Sequence, residues 1–246
     1  MRNIKLLIEY DGKLYNGWQK QPNKSSIQEE IEKAILRVTG EEVDLIGSGR
    51  TDSGVHSLGQ VANFKLEKSD LPIEKMAFAI NSQLKPQIVI LKAEEVDEDF
   101  HSRYKAKKKT YKYVINNNLV PSAIYRGLEF HFKDELNIKK MDKGIKYLIG
   151  EHDFKSFKSS GNGTKTSIRT IYDAKVYKEE NSRVIIEITG SGFLYNMVRI
   201  IAGTILDVGI GKIKPEDVKK ILEAKNRQEA GKTLPSHALF LVKVEY

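Results

Sequence analysis

Residues 26–66, SIQEEIEKAILRVTGEEVDLIGSGRTDSGVHSLGQVANFKL, place a helix, a strand, a glycine-rich loop and a second strand in one run. Ser26, with Glu29 three residues on, forms a capping box, and Gly40 supplies the stop. Between them Ile27, Ile31, Ala34, Ile35 and Val38 recur at helical spacing. A strand is predicted over 43–46 and another over 60–66, joined by the glycine-rich segment. Upstream, IKLLIEY (4–10) is a β-rich apolar run closed by the turn signal Asp11-Gly12. Downstream, LPIEKMAFAINSQL starts a helix near Pro72, and QIVILKAEEV returns to strand. The order is β-α-β-β-α-β, the split βαβ or ferredoxin-like arrangement.

The remainder repeats that order with little sequence identity. KTYKYVI (109–115) reads as a strand, NIKKMDKGIKYLIG as a helix, and IYDAKVYKE and RVIIEIT as strands paired across a tight ENS turn. FLYNMVRIIAGTILDVG reads as a helix, KPEDVKKILEAK as an additional one, and HALFLVKVEY as the closing strand. The expected class is α+β, with two ferredoxin-like (RRM-like) halves, antiparallel sheets side by side and a central basic cleft. The boundary is expected near 104–108, dividing the chain into 1–104 and 105–246. At ~150 residues per domain, a chain of 246 residues agrees with one large domain or two small ones.

Composition narrows the chemistry. Hydrophobic residues make up 40% and charged residues 30%, which fits a globular protein and argues against wholesale disorder. There are no cysteines, which removes disulfide scaffolds, thiolate metal sites and Cys nucleophiles, and suits a reducing, cytoplasmic setting. The most apolar stretch is interrupted by Asn196, Arg199 and Asp207, so no membrane span is expected. Lys and Arg total 41 against 33 Asp and Glu, and the net +8 is segregated. From His101 to Leu128 there are seven cations, Arg103, Lys105, Lys107, Lys108, Lys109, Lys112 and Arg126, and no acid. Tyr104, Tyr111, Tyr113 and Tyr125 interleave with them, and rings among cations suit stacking beside phosphate contacts. A second acid-free window, Phe154 to Tyr172, holds Lys155, Lys158, Lys165 and Arg169. Two such windows beside the expected cleft point to a nucleic-acid track, the plainer reading being solvated loops.

In GSGRTDSGVH, Gly47, Gly49 and Gly54 are expected to supply backbone angles that other residues resist. The loop is not a phosphate-cradling P-loop, since no Gly-Lys-Ser/Thr follows, and Gly231-Lys232-Thr233 fails because Asn226 stands where the first glycine belongs. An Asp in such a loop is ordinarily a turn former, and this is the plain reading of Asp52. The apolar helix expected over 193–208 adds a second clue, because Arg199 is its only cation. A buried guanidinium needs a carboxylate, and Asp52 is a suitable partner; the alternatives are a structural ion pair or an Arg199 that reaches solvent. A carboxylate kept ionised there can serve as nucleophile or base.

These residues carry a specific resemblance. GSGRTDSGVHSLGQVANF resembles the catalytic segment of the TruA-type tRNA pseudouridine synthases. YDGKLYNGWQKQ, SIQEEIEKA, FHSRYKAKKKTYKY, GEHDFKSF, GSGFLYNMVRIIAGTILDVG and LFLVKVEY match the same family in order. The resemblance implies isomerisation of uridine to pseudouridine at positions 38 to 40 of the tRNA anticodon arm, by a homodimer needing neither cofactor nor metal. It implies Asp52 as the nucleophile, Arg50 as the arginine that handles the flipped nucleotide, Tyr111 as the tyrosine stacked on the base, and Arg199 as the partner of the aspartate. Leu239 or Leu241 would line the base pocket. His56 and His101 are candidates for positioning RNA, beside Arg103 and Lys107–Lys109. Trp18 reads as packing. The chain departs from the family at Ser57, where alanine is usual, and at TLPSHAL, where Ala238 replaces a glycine.

Three other readings compete. A non-catalytic RNA-binding module makes Asp52 dispensable. A glycosidase-like hydrolase would pair two carboxylates, yet Asp52 has no acidic companion between Asp44 and Glu67. A metal-dependent nuclease lacks a carboxylate cluster at the loop.

Overall fold

The computed structural model describes residues 1–161 and 166–246. Lys165 of the second basic window lies outside the described residues. The chain is mixed α+β and separates into two units, Met1–Lys107 with Phe240–Tyr246, and Lys108–Leu239. The closing strand, expected with residues 105–246, thus groups with the first unit.

In the first unit β1 (Arg2–Tyr10) pairs antiparallel with β4 (Ile88–Val96) on one side and β3 (His56–Leu66) on the other. The far edge of β3 takes the two-residue β2 (Ile46–Gly47), antiparallel, and part of β10 (Leu239–Glu245), in parallel. Period-2 alternation turns Ile4, Leu6, Ile8 and Tyr10 inward. They meet Ile27, Ile31, Ala34 and Ile35 of α1 (Ile27–Thr39) and Met76 and Ile80 of α2 (Ile73–Asn81). Ser26 caps α1 by accepting from the Glu29 N–H at 3.3 Å, and Gly40 ends it in the left-handed region at φ 73°.

The strand predicted over 43–46 is displaced. Leu45 donates its N–H to Glu32 Oε1 at 3.1 Å and accepts from Gln28 Nε2 at 3.0 Å. Side chains of α1 satisfy that backbone, so pairing starts only at Ile46.

In the second unit β5 (Lys108–Asn116), β9 (Arg183–Gly190), β8 (Ile168–Lys178) and β7 (Gly150–Asp153) pair antiparallel in that spatial order. The short β6 (Phe130–His131) runs parallel to β5. The helices are α3 (Ile138–Ile145), α4 (Met197–Gly209) and α5 (Asp217–Ala224). Helix α4 starts four residues later than predicted. Asn196 adopts φ 61°, a left-handed conformation that asparagine tolerates and a helix interior does not. From there the helix is buried at every position except Arg199 and Asp207, its two charged residues. Ile200, Ile201 and Ile205 are wholly buried, each worth roughly 1.5–3 kcal/mol of transfer free energy. No helix among the described residues is long and apolar enough to cross a membrane.

Candidate active site

The glycine-rich loop begins where β2 meets Trp18. Gly47 is required there by space rather than by backbone angle, because a Cβ would lie 2.5 Å from the Trp18 indole. Of the three loop glycines, only Gly54 takes positive φ, at 78°. Trp18 is 2% exposed and is packing, as its sequence suggested. Buried polar groups then hold the loop from below. Ser48 donates its N–H to Val61 O at 2.7 Å and its hydroxyl to Gln60 Oε1 at 2.5 Å, while Gln60 Nε2 donates to Gly49 O at 2.9 Å.

Thr51 is the fixed point. Its carbonyl accepts the Trp18 N–H at 3.1 Å, and its hydroxyl meets the Tyr10 hydroxyl at 2.8 Å. Burial pushes the Tyr10 phenol well above its ordinary value, against the opposing hydrogen bonds of Thr51, Gln60 and Ser57, so it stays protonated. Asp52 is half-buried, and its carbonyl closes the turn by accepting from the Val55 N–H at 3.1 Å. Ser53 Oγ donates to Tyr15 O at 3.2 Å. Arg50, on the other side of Thr51, is exposed and donates Nε–H to Gln19 Oε1 at 3.0 Å. Both charged side chains therefore leave a backbone pinned at the residue between them.

His56 does not lie on a surface that RNA can touch. It is 2% exposed, accepts the Gly12 N–H at Nδ1 (3.2 Å), lies 3.0 Å from Asp11 Oδ1 and stacks on Phe240 at 4.8 Å. Its place is internal, tying β1's end to the start of β3. Ser57 uses the hydroxyl that an alanine would lack: it donates to Leu241 O at 3.3 Å and accepts the Gly59 N–H at 3.1 Å. That bond fastens the closing strand beside the loop. Leu241 and Leu239 are buried, at 1% and 6% exposure.

In the second unit Tyr111 lies on β5 opposite Ile188, 8% exposed, with Phe193 edge-on at 5.1 Å and 80°. Tyr113, grouped with the stacking tyrosines on sequence, is fully buried and donates to Pro235 O at 2.9 Å. Arg199 is half-buried. Within its own unit its acceptors are uncharged, namely Leu234 O from Nε at 2.7 Å and Asn196 Oδ1 from Nη1 at 2.6 Å. Tyr113 and Arg199 together hold the backbone of residues 234–235, which leads through Ala238 to Leu239.

Of the cations in the His101–Leu128 window, Arg103, Lys105, Lys107, Lys108 and Arg126 are exposed, and Lys109 and Lys112 half-buried. Lys105 pairs with Asp99 at 2.5 Å. Tyr104, 78% exposed, lies against the His101 ring at 4.1 Å and the Arg103 guanidinium at 6.0 Å. Lys108 Nζ stands 5.2 Å from the Tyr172 ring. No group of three or more metal-ligating side chains is assembled among the described residues.

Sequence reasoning missed Gln19, Gln28, Tyr10, Gln60 and Phe193, whose roles depend on what the fold sets beside them. A family model described as tRNA pseudouridine synthase matches residues 6–105 and 145–246. Proteins named tRNA pseudouridine synthase A match along all 246 residues and over the full length of both chains: 55% identical in Caldicellulosiruptor saccharolyticus, 51% in Acetivibrio thermocellus and 50% in Clostridium acetobutylicum. A pinned loop bearing Arg50 and Asp52, read with matches of this extent, places the chain in the tRNA pseudouridine synthase family.

Proposed function

We propose that this enzyme, an isomerase acting on uridine in tRNA, works at positions 38, 39 and 40 of the anticodon arm with Asp52 as its nucleophile. The reaction breaks the N1–C1′ glycosidic bond, forms C5–C1′, removes the proton on C5 and leaves one on N1. Composition is unchanged, so no group or electron pair has to be imported and no cofactor or metal is called for. The target uridine leaves the helical stack, a step of a few kcal/mol. Tyr111 stacks on the flipped base, with Leu239 or Leu241 as the aliphatic wall. Arg50 occupies the vacated space or holds the phosphate. Arg199 keeps Asp52 ionised and oriented, and Arg103 with Lys107–Lys109 tracks the backbone, His101 beside them. The enzyme acts as a homodimer in the cytoplasm.

The observation that carries this reading is the tripeptide Arg50-Thr51-Asp52, whose middle residue is fixed by both its carbonyl and its hydroxyl. A preorganised backbone holds a nucleophile in place without reorganisation at the moment of reaction. The strand order β4-β1-β3-β2 of the first unit supports a ferredoxin-like plan, which we extend to the second.

The test is Asp52→Asn, which keeps the shape and removes the charge. Pseudouridine formed on an unmodified tRNA transcript should fall by roughly 10⁴-fold, the scale of losing an acting group, with tRNA binding retained. Ample residual turnover would remove the nucleophile assignment, and release of free uracil would replace it with hydrolysis.

A further inference from the structure

Arg50 is aimed by a chain of amides that starts inside α1. Its Nε–H donates to Gln19 Oε1 at 3.0 Å. Gln19 Nε2 in turn donates to Gln28 Oε1 at 2.8 Å, and that oxygen also accepts the Lys20 N–H at 3.0 Å. Gln28 Nε2 donates to Leu45 O at 3.0 Å and to Glu32 Oε1 at 3.2 Å. Both lone pairs and both protons of the Gln28 amide are thus engaged, and the residue is 6% exposed. An amide so occupied has one orientation. That orientation dictates the next. Gln19 must present its NH₂ to Gln28, so its carbonyl oxygen faces Arg50. The chain ends on Glu32, whose other oxygen takes Lys20 Nζ at 2.7 Å and whose side chain is 10% exposed.

We infer that Gln28, acting through Gln19, is a positioning residue that sets the direction of the Arg50 guanidinium toward the nucleotide. Holding Nε fixes the plane of the fork and presents its terminal nitrogens, the pair suited to two oxygens of one phosphate. The inference rests on the role proposed for Arg50 above. Reversing either amide would set N–H against N–H at one of the links, so the relay has a single polarity.

The experiment is a double-mutant cycle on the full-length enzyme with an unmodified tRNA transcript. Gln28→Met and Gln19→Met preserve length and remove the hydrogen bonds. Each should lower kcat by roughly 10–100-fold, the penalty for a misplaced group, with KM nearly unchanged. In an Arg50→Ala background the same substitutions should change kcat less than about twofold, because the residue they position is gone. An Arg50→Ala defect to which the Gln28→Met loss simply adds would overturn the relay and leave the role of Arg50 standing. A wild-type rate for Arg50→Ala would overturn both. Gln19→Met lies near the surface and carries the test if Gln28→Met does not fold, and a loss confined to thermal stability in both would also overturn the relay.

Discussion

Replacing Tyr10 by phenylalanine deletes one oxygen atom and tests whether the loop is pinned where Asp52 begins. Tyr10 and Thr51 are 2% and 6% exposed, and their hydroxyls are 2.8 Å apart. The substitution leaves Thr51 Oγ1 buried without that partner, an asymmetry worth roughly 1–3 kcal/mol, more than the bond's own net contribution of about 1 kcal/mol. At about 2–4 °C per kcal/mol for a chain of this length, Tm should drop by several degrees. Thr51→Val alone should destabilise less, because the phenol keeps Gln60 and Ser57 as hydrogen-bond partners. The double variant, which removes both groups, should be less destabilised than the two losses added together, with a coupling of roughly 1–2 kcal/mol. Urea unfolding at neutral pH is the assay, where the phenol is protonated in the folded and the unfolded chain alike. Strictly additive losses would refute the bond and, with it, the claim that Thr51 is the fixed point. Pseudouridine formation by the same variants separates stability from placement: kcat should fall for Tyr10→Phe even where the protein is fully folded.

Charge reversal at Lys107 and Lys108, both exposed, should weaken tRNA binding and reduce the salt slope by roughly 0.9 per lost duplex phosphate contact. An unchanged slope in filter binding would take those lysines off the phosphate track. Glu129→Ala should destabilise the second unit, because Glu129, its side chain 5% exposed, accepts from Arg183 Nε at 2.9 Å and from Asn116 Nδ2 at 2.6 Å. Arg183 also lies over the Tyr125 ring at 4.0 Å and is 23% exposed. The loss should be roughly 3 kcal/mol, the low end for a broken buried pair because solvent reaches the arginine. Urea unfolding showing under about 1 kcal/mol would mean the pair is effectively solvated.

Helix α1 was legible because its signals are local: the Ser26 cap, five apolar positions at helical spacing and Gly40 all lie within one segment. The burial of α4 was legible for the same reason, since only Arg199 and Asp207 interrupt its apolar surface. Its start was not, because a run of apolar residues from Phe193 carries no mark of the left-handed turn at Asn196. The short β6 and β7 have too few residues for a period to show. The grouping of the closing strand depended on a long-range event, the pairing of Phe240 and Leu241 with His56 and Ser57.

The loop divides in the same way. Its glycines announced a special backbone, and Gly54 supplies one, but Gly47 answers to the Trp18 indole, a contact between segments with no shared periodicity. Gln28 shows why the supporting residues stayed hidden. On a helical wheel it is an ordinary polar position, and its amide composition predicts solvent. It is buried because Leu45 leaves the sheet register one residue before β2 begins, and the carbonyl there must find a donor once water is excluded. The nearest helix turn provides an amide, and that amide, having donated on one side, must accept on the other. Gln19 meets that requirement and so faces Arg50 with its oxygen. A backbone group left over by the end of a strand thereby fixes the direction of a cation three hydrogen bonds away, a consequence of polar satisfaction that becomes visible only when the segments are in place.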